Sequence, residues 1–250
     1  MISPVSRNVE RFSIKGWVRD SFSDWDGKIS TVLFLPGCNF RCPFCQNWNL
    51  ATAPSSLSDC SWSDIHAYLS EHKGFHDGVV ITGGEPLISD TVIDLFQELK
   101  KLDLAIKLDT NGSFPARLEK VLRQNMVDFV SMDIKHQLTP EMYSKAAGIP
   151  INEKILASIW ESIQLLRNSG VPYEFRTTVV PEIHTPEDIQ KIAQSLKGSN
   201  RYVLQYFRTL GVQQSWQNRP LWKKGTLEEI CETISSSFSS CKVRGHGSDD

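Results

Sequence analysis

Apolar positions along the chain follow two alternating rhythms. Short runs at residues 28–35, 78–82, 104–108, 127–134, 173–180 and 201–207 are rich in Val, Ile, Leu and Phe. Turn residues bound them, which predicts buried strands. Between and after them lie stretches with apolar residues three and four apart, at 61–73, 89–102, 115–124, 152–168, 185–198 and 226–237, which predict helices. The clearest is 152–168, where Ile155, Ile159, Ile163 and Leu166 share one face and Gly170 follows as a stop. Thr185-Pro186-Glu187-Asp188 is a helix start, with a cap, a proline at the first position and acids in the first turn. Ser61 or Ser63 caps 61–73, and Thr226 caps the last helix. Ahead of these units residues 12–18 alternate apolar and polar, and Asp26-Gly27 is a turn signal, so residues 12–30 read as a hairpin.

Strand followed by helix, six times over, implies a parallel sheet with right-handed crossovers. A length of 250 residues with 40% hydrophobic content fits one α/β domain with a full core. The expected division is a hairpin at 12–30, a core at 31–208, an extension with a terminal helix at 209–244, and a disordered tail at 245–250. Six units are too few for a closed eight-stranded barrel. Strand C-terminal ends are where such architectures place their chemistry.

Charge and composition narrow the function. A net charge of −2 gives no argument for bulk nucleic-acid binding. No apolar run reaches the roughly 18 residues of a membrane-spanning helix. Residues 1–11 are polar and lack the apolar core of a secretion signal. Six cysteines, three of them tightly clustered, suit a reducing compartment better than a disulfide scaffold, so a cytoplasmic protein is expected.

The clustered three are Cys38, Cys42 and Cys45, at C-x3-C-x2-C spacing directly after the first core strand. Soft thiolates select iron–sulfur clusters, zinc or Cu(I). A zinc site of this kind ordinarily shows a second C-x2-C or H-x3-H pair; no second C-x2-C follows, and His72 and His76, at H-x3-H spacing, read with the other histidines as surface or capping residues. Three ligands on a four-iron cluster leave one iron open to a non-protein ligand. Cys60, Cys231 and Cys241 are scattered and read as plain buried thiols. The six histidines read as surface or capping residues.

This motif, with Thr82-Gly83-Gly84-Glu85-Pro86 about 40 residues later at another strand end, resembles the radical S-adenosylmethionine (radical SAM) enzymes from about Ser13 to Arg208. The resemblance implies an open partial (β/α)6 barrel preceded by the N-terminal β-hairpin. It also implies a 4Fe–4S cluster on Cys38, Cys42 and Cys45, whose open iron binds S-adenosylmethionine. The lead-in (Gly16-Trp17, Ser21, Asp24, Gly27-Lys28-Ile29) and Gly37-Cys38-Asn39-Phe40-Arg41-Cys42 are similar to the glycyl-radical-enzyme activases, above all the activase of anaerobic ribonucleoside-triphosphate reductase. Asp26 stands where that class usually has proline, Gln46 where many have histidine, and Phe207 where some have a histidine touching the ligand.

By the same resemblance Phe44 lies near the adenine, and Gly83, Gly84, Glu85 and Pro86 hold the methionine amino group largely through backbone. Asp109-Thr110-Asn111-Gly112 and Asp133-x-Lys135 surround the ligand. A monovalent cation sits among Asp109, Thr110, the Ser131 carbonyl and Asp133. Strand alternation puts Arg176 and Thr178 on one face. If that face is the interior, Arg176 pairs with the ligand carboxylate; otherwise it forms a salt bridge to an acidic neighbour. The implied activity is reductive cleavage of S-adenosylmethionine to a 5′-deoxyadenosyl radical, which removes a hydrogen from a glycine of a partner enzyme. A flavodoxin- or ferredoxin-type protein supplies the electron. Two rivals stand beside this: a radical enzyme acting on a small molecule, similar to 7-carboxy-7-deazaguanine synthase, and a non-catalytic iron–sulfur or zinc protein.

Overall fold

The computed structural model describes residues 12–248. The expectations for residues 1–11 and for Asp249 and Asp250 lie outside them. One eight-stranded sheet runs in chain order: β1 (Gly16–Ser21), β2 (Ser30–Leu35), β3 (Gly78–Gly83), β4 (Ala105–Thr110), β5 (Phe129–Asp133), β6 (Tyr173–Val179), β7 (Arg201–Tyr206) and β8 (Ser240–Arg244). β1 and β2 form the antiparallel hairpin, and every later neighbour is parallel. The six expected core strands are β2 to β7, so the open partial barrel with its hairpin is the observed fold.

Among the described residues eight helices accompany the strands: α1 (Trp48–Thr52), α2 (Trp62–Glu71), α3 (Thr91–Lys100), α4 (Pro115–Arg123), α5 (Pro140–Ala147), α6 (Glu153–Asn168), α7 (Pro186–Ser195) and α8 (Thr226–Ile234). Ser61 caps α2 by accepting from Asp64 N, and Thr185 with Asp188 closes a capping box on α7. Alternation splits each strand between two environments. Leu33, Val79, Ile81, Ile106, Leu108, Val130 and Met132 are fully buried in the main core with Phe96, Leu118, Ile159 and Ile163 of the helices. A separate small cluster of Trp25, Val32 and Val80, with Phe129 packed on it, plugs the base of the barrel interior.

Five features depart from the sequence pattern. The first strand starts at Gly16, because Ser13 and Lys15 are tied sideways to Asp59 at 2.8 and 2.9 Å. α1 and α5 are additional helices, too short for a periodic signal. The cap of α8 is Gly225 in the left-handed region, with Thr226 already helical. The extension ends in β8, and the segment expected to be a loose tail is pinned at Ser248, whose N–H donates to Trp222 O at 2.9 Å. Cys231 on α8 and Cys241 on β8 form a disulfide, so neither is the plain thiol expected. Ser240–Arg244 carries two cations in five residues and has no clean alternation; cross-linking and pairing with β7 make it a strand.

β8 also helps to shut the barrel base. Asp26, in the β1–β2 turn, meets Arg244 at 3.1 Å, Arg201 at 3.6 Å and Lys242 at 3.7 Å. Arg244 reaches Glu174 as well, at 3.1 Å. With the base closed by Trp25 and these ion pairs, the open end lies at the strand C-termini.

Candidate active site

A cavity of about 420 Å³ occupies that end. Cys38, Cys42 and Cys45 line it from the loop after β2, Gly83 and Gly84 from the end of β3, Asp109 and Thr110 from β4, Asp133 and Lys135 from β5, and Arg176 from β6. Five strand ends thus bring together most of the residues the motifs single out.

The cysteine loop is held by backbone on two sides. Arg41 N donates to Ala147 O at 2.8 Å, and Gly37 O accepts from Glu85 N at 2.8 Å. Gly148, at φ +68°, ends α5 against this loop; a Cβ there would lie 1.9 Å from Arg41 O. The Arg41 guanidinium donates back to Cys38 O and Phe40 O at 2.6 and 2.8 Å. Phe40 is buried against Tyr143, and Phe44 against the ring of His184.

Burial pushes the Cys38 thiol up to about 11 and Cys42 to about 12, and raises Cys45 as well. The bare thiols are therefore neutral at physiological pH and become thiolates only against a positive centre. Donors for a thiolate are in place: Phe40 N lies 3.4 Å and Asn111 Nδ2 3.9 Å from Cys38 Sγ. Asn111 is itself fixed, donating to Asn39 Oδ1 at 2.9 Å and accepting from Ser113 N at 2.9 Å.

The glycine-rich turn divides into two roles. A Cβ on Gly84 would lie 1.8 Å from Gly37 O, and one on Gly83 (φ +116°) 2.4 Å from Leu35 O. Both glycines are demanded by the β2–Cys38 backbone itself, independently of any ligand approach. Glu85 and Pro86 do not reach the cavity. The fully buried Glu85 carboxylate accepts from Thr110 Oγ1 at 2.7 Å, Asn111 N at 2.6 Å and Leu87 N at 3.0 Å. Burial outweighs these donors and raises its pKa to about 7. Glu85 thus joins the β3 turn to the β4 end, and its side chain is not a ligand group. Pro86 is buried in the same turn.

Arg176 Nε donates to Asp133 Oδ1 at 2.6 Å, and its terminal nitrogens lie 3.4 Å from Asp109 Oδ2. Lys135 Nζ holds Asp133 Oδ2 at 2.8 Å, and Lys107 Nζ stands 3.3 Å from Asp109 Oδ1. The neighbouring guanidinium and ammonium, outweighing burial, hold Asp133 well below the usual carboxylate range. Arg176 and Thr178 do share the interior face, and Arg176 forms the salt bridge. The expected monovalent-cation set does not fit as arranged. Three protein cations already face two carboxylates, and Thr110 Oγ1 donates to Glu85.

Sequence reasoning named Thr82, Asn111 and Thr178 only as members of a motif or a face and gave no role to Asn47 or Gln205, yet all five line the wall. Asn111 sits inside a named motif, and Gln205 falls on the inward face of β7, so alternation could have found both. His76, His136 and His184 are buried and not surface residues. His136 and His184 stack at 4.8 Å. Val180 N donates to His184 Nδ1, so Nε2 carries the proton to Lys135 O at 2.8 Å.

Comparison with known proteins decides the family. The model of the radical SAM superfamily matches residues 32–196. The chain belongs to the radical SAM superfamily. Among its radical SAM relatives, MJ1227 of Methanocaldococcus jannaschii, named as a glycyl-radical enzyme activating enzyme, is 31% identical over 87% of this chain and 89% of its own length. The pyruvate formate-lyase-activating enzyme of Listeria monocytogenes is 29% identical over 74% of this chain and 77% of its own. Streptococcus suis SuiB, solved bound to S-adenosylmethionine, shares the fold: TM-score 0.63 at 13% identity, covering 86% of this chain and 52% of SuiB. The chain therefore spans about half of that larger protein.

The residues present fit the family's cluster. Three thiols share one wall of a cavity with N–H donors aimed at one of them, and Phe40 and Phe44 exclude water beside them. Among the described residues no three Cys, His, Asp or Glu side chains are gathered at a common metal point.

Proposed function

We propose that this chain is a radical SAM activase, an oxidoreductase that generates a glycyl radical on a partner enzyme, with anaerobic ribonucleoside-triphosphate reductase as that partner. The single observation that carries the reading is a cavity with the cysteine trio and the Asp133–Arg176–Asp109 network on its wall, in a chain whose near-full-length relative is named as an activator of glycyl-radical enzymes. In this reading Cys38, Cys42 and Cys45 hold a 4Fe–4S cluster. Bound with S-adenosylmethionine, the cluster supplies one electron that cleaves a carbon–sulfur bond, giving methionine and the 5′-deoxyadenosyl radical that takes the glycine hydrogen.

The chain's own residues bind, orient and exclude water. Phe40 and Phe44 keep solvent from the cysteine loop. Arg176 and Lys135 offer positive charge to the ligand carboxylate, while Asp133 and Asp109 keep both cations in fixed rotamers. The carboxylates and Thr82 give oxygens suited to ribose hydroxyls. No monovalent cation is needed, because Lys107, Lys135 and Arg176 already balance the carboxylates. A flavodoxin- or ferredoxin-type donor and a cytoplasmic setting belong to the same proposal.

Anaerobic reconstitution with iron and sulfide, followed by dithionite and S-adenosylmethionine, tests the reading against a non-catalytic metal carrier. 5′-Deoxyadenosine is the expected product; a loaded protein that makes none overturns the enzyme reading.

A further inference from the structure

The polar side chains of the cavity interior are largely committed to one another. Arg176 is held by Asp133 and Asp109, Lys135 by Asp133, Asn47 by Gly83 O, and Asp24 by Ser21. Gln205 on β7 and Thr178 on β6 differ. Both line the cavity, both are half-buried, and among the described residues neither side chain has a hydrogen-bond partner. They are register partners on adjacent parallel strands. Two residues beyond Arg176 along β6, they stand one side-chain layer nearer the mouth, about 7 Å along the strand.

A primary amide offers a donor and an acceptor in one plane, and a hydroxyl beside it adds one of each. Such groups are complementary to a neutral ligand with a reciprocal donor and acceptor, and leaving them dry and unpaired is costly. A hydrogen-abstracting activase must select a glycine, which has no side chain to grip. Recognition can reach only the peptide units that flank the reacting Cα. We propose that Gln205, with Thr178, is the recognition site for the two peptide units that flank that glycine. Gln205 Nε2 donates to the carbonyl of one unit, and Gln205 Oε1 accepts from the N–H of the other, the two groups that an extended residue points to one side. Thr178 orients the amide across the strand pair. The inference rests on the activase reading and adds the substrate contact to it.

The test uses cluster-loaded full-length enzyme with S-adenosylmethionine, dithionite and the probe peptide acetyl-Ala-Ala-Gly-Ala-Ala-amide, dideuterated at the glycine Cα. Deuterium in 5′-deoxyadenosine reports the transfer. Gln205→Leu removes the donor and acceptor at similar volume, and Thr178→Val removes the hydroxyl at the same shape. The expected result for Gln205→Leu is a rise of about tenfold in KM for the peptide, the equivalent of one lost hydrogen bond of about 1.4 kcal/mol. Thr178→Val raises KM less and keeps a β-branched side chain of the same shape on β6, so it keeps the test open should the first variant fail to fold. The Kd for S-adenosylmethionine, from equilibrium dialysis, stays within about twofold, as two unmade ligand contacts require. A Kd that rises with the peptide KM assigns the amide to the nucleoside and overturns the proposal. An unchanged peptide KM in both variants overturns it as well. Failure of the underlying reading looks different: wild-type enzyme then cleaves S-adenosylmethionine yet moves no deuterium from the peptide.

Discussion

Arg176 and Asp133, register partners on β6 and β5, meet through a 2.6 Å charge-assisted hydrogen bond inside the cavity. The pair gives the site its electrostatic frame, because Arg176 also reaches Asp109 and Asp133 also takes Lys135. Both side chains are largely enclosed, at 14% and 22% exposure. Removing the cation alone leaves two carboxylates short of charge in a medium that solvates them poorly. Arg176→Met should destabilise the fold by about 3 kcal/mol, the low end for a broken buried pair because some exposure remains. Thermal unfolding of the two proteins at pH 7.5 measures it.

Asp133→Ala acts differently. It leaves Arg176 with Asp109 and Lys135 unpaired, and it does not touch the cysteine loop. Affinity for S-adenosylmethionine should fall about tenfold to a hundredfold, as for a lost charge-assisted contact of about 1.5–3 kcal/mol. Iron content per chain should stay at the wild-type value. Equilibrium dialysis and iron assay read the two quantities separately, and an unchanged Kd would leave Asp133 with a structural role only.

The cysteines divide into two sets with distinct consequences. Cys42→Ala should abolish the brown colour and iron binding, because two thiolates do not retain a four-iron cluster. Cys231→Ser with Cys241→Ser should keep the iron, since that pair lies on α8 and β8, away from the cavity. Its cost is stability, about 2–3 kcal/mol for a cross-link closing a loop of this length. Loss of iron in the double variant would require a fourth protein ligand.

Much of this was legible in the chain, for physical reasons. Six buried strands flanked by amphipathic helices leave clear periodic signals, and the three cysteines and Gly83-Gly84 fall where backbone and ligand chemistry leave no substitute. The roles of individual polar groups were less legible. Glu85 lies in a ligand motif, yet three donors around its carboxylate make it a strut between turns. β8 is short and charged, and its strand identity comes from tertiary partners: Cys231, β7 and Asp26. His136 and His184 lack metal spacing because they serve backbone: their rings donate to the carbonyls of Ile183 and Lys135 and accept from N–H groups.

That histidine pair predicts a pH dependence. Burial, with the stacked His136 beside it, holds His184 down at about 4. A group with a depressed folded pKa stabilises the fold above its unfolded value, near 6.5, and that contribution is lost as pH falls toward 4. The unfolding free energy should drop by about 3 kcal/mol over this window, with the slope concentrated between pH 6.5 and 4. His184→Gln should flatten that slope. A chemical-denaturation series across the window checks it, and equal slopes in both proteins would remove His184 as the source.

The central claim is that a glycine of a partner protein gives up its Cα hydrogen at this cavity. The direct measurement combines the loaded enzyme, S-adenosylmethionine and anaerobic ribonucleoside-triphosphate reductase labelled with Cα-deuterated glycine. The account predicts deuterium in 5′-deoxyadenosine, together with a persistent organic radical on the partner. With unlabelled partner, the remaining Cα hydrogen splits the electron paramagnetic resonance signal of that radical into a doublet. 5′-Deoxyadenosine free of deuterium, with no radical on the partner, would contradict it.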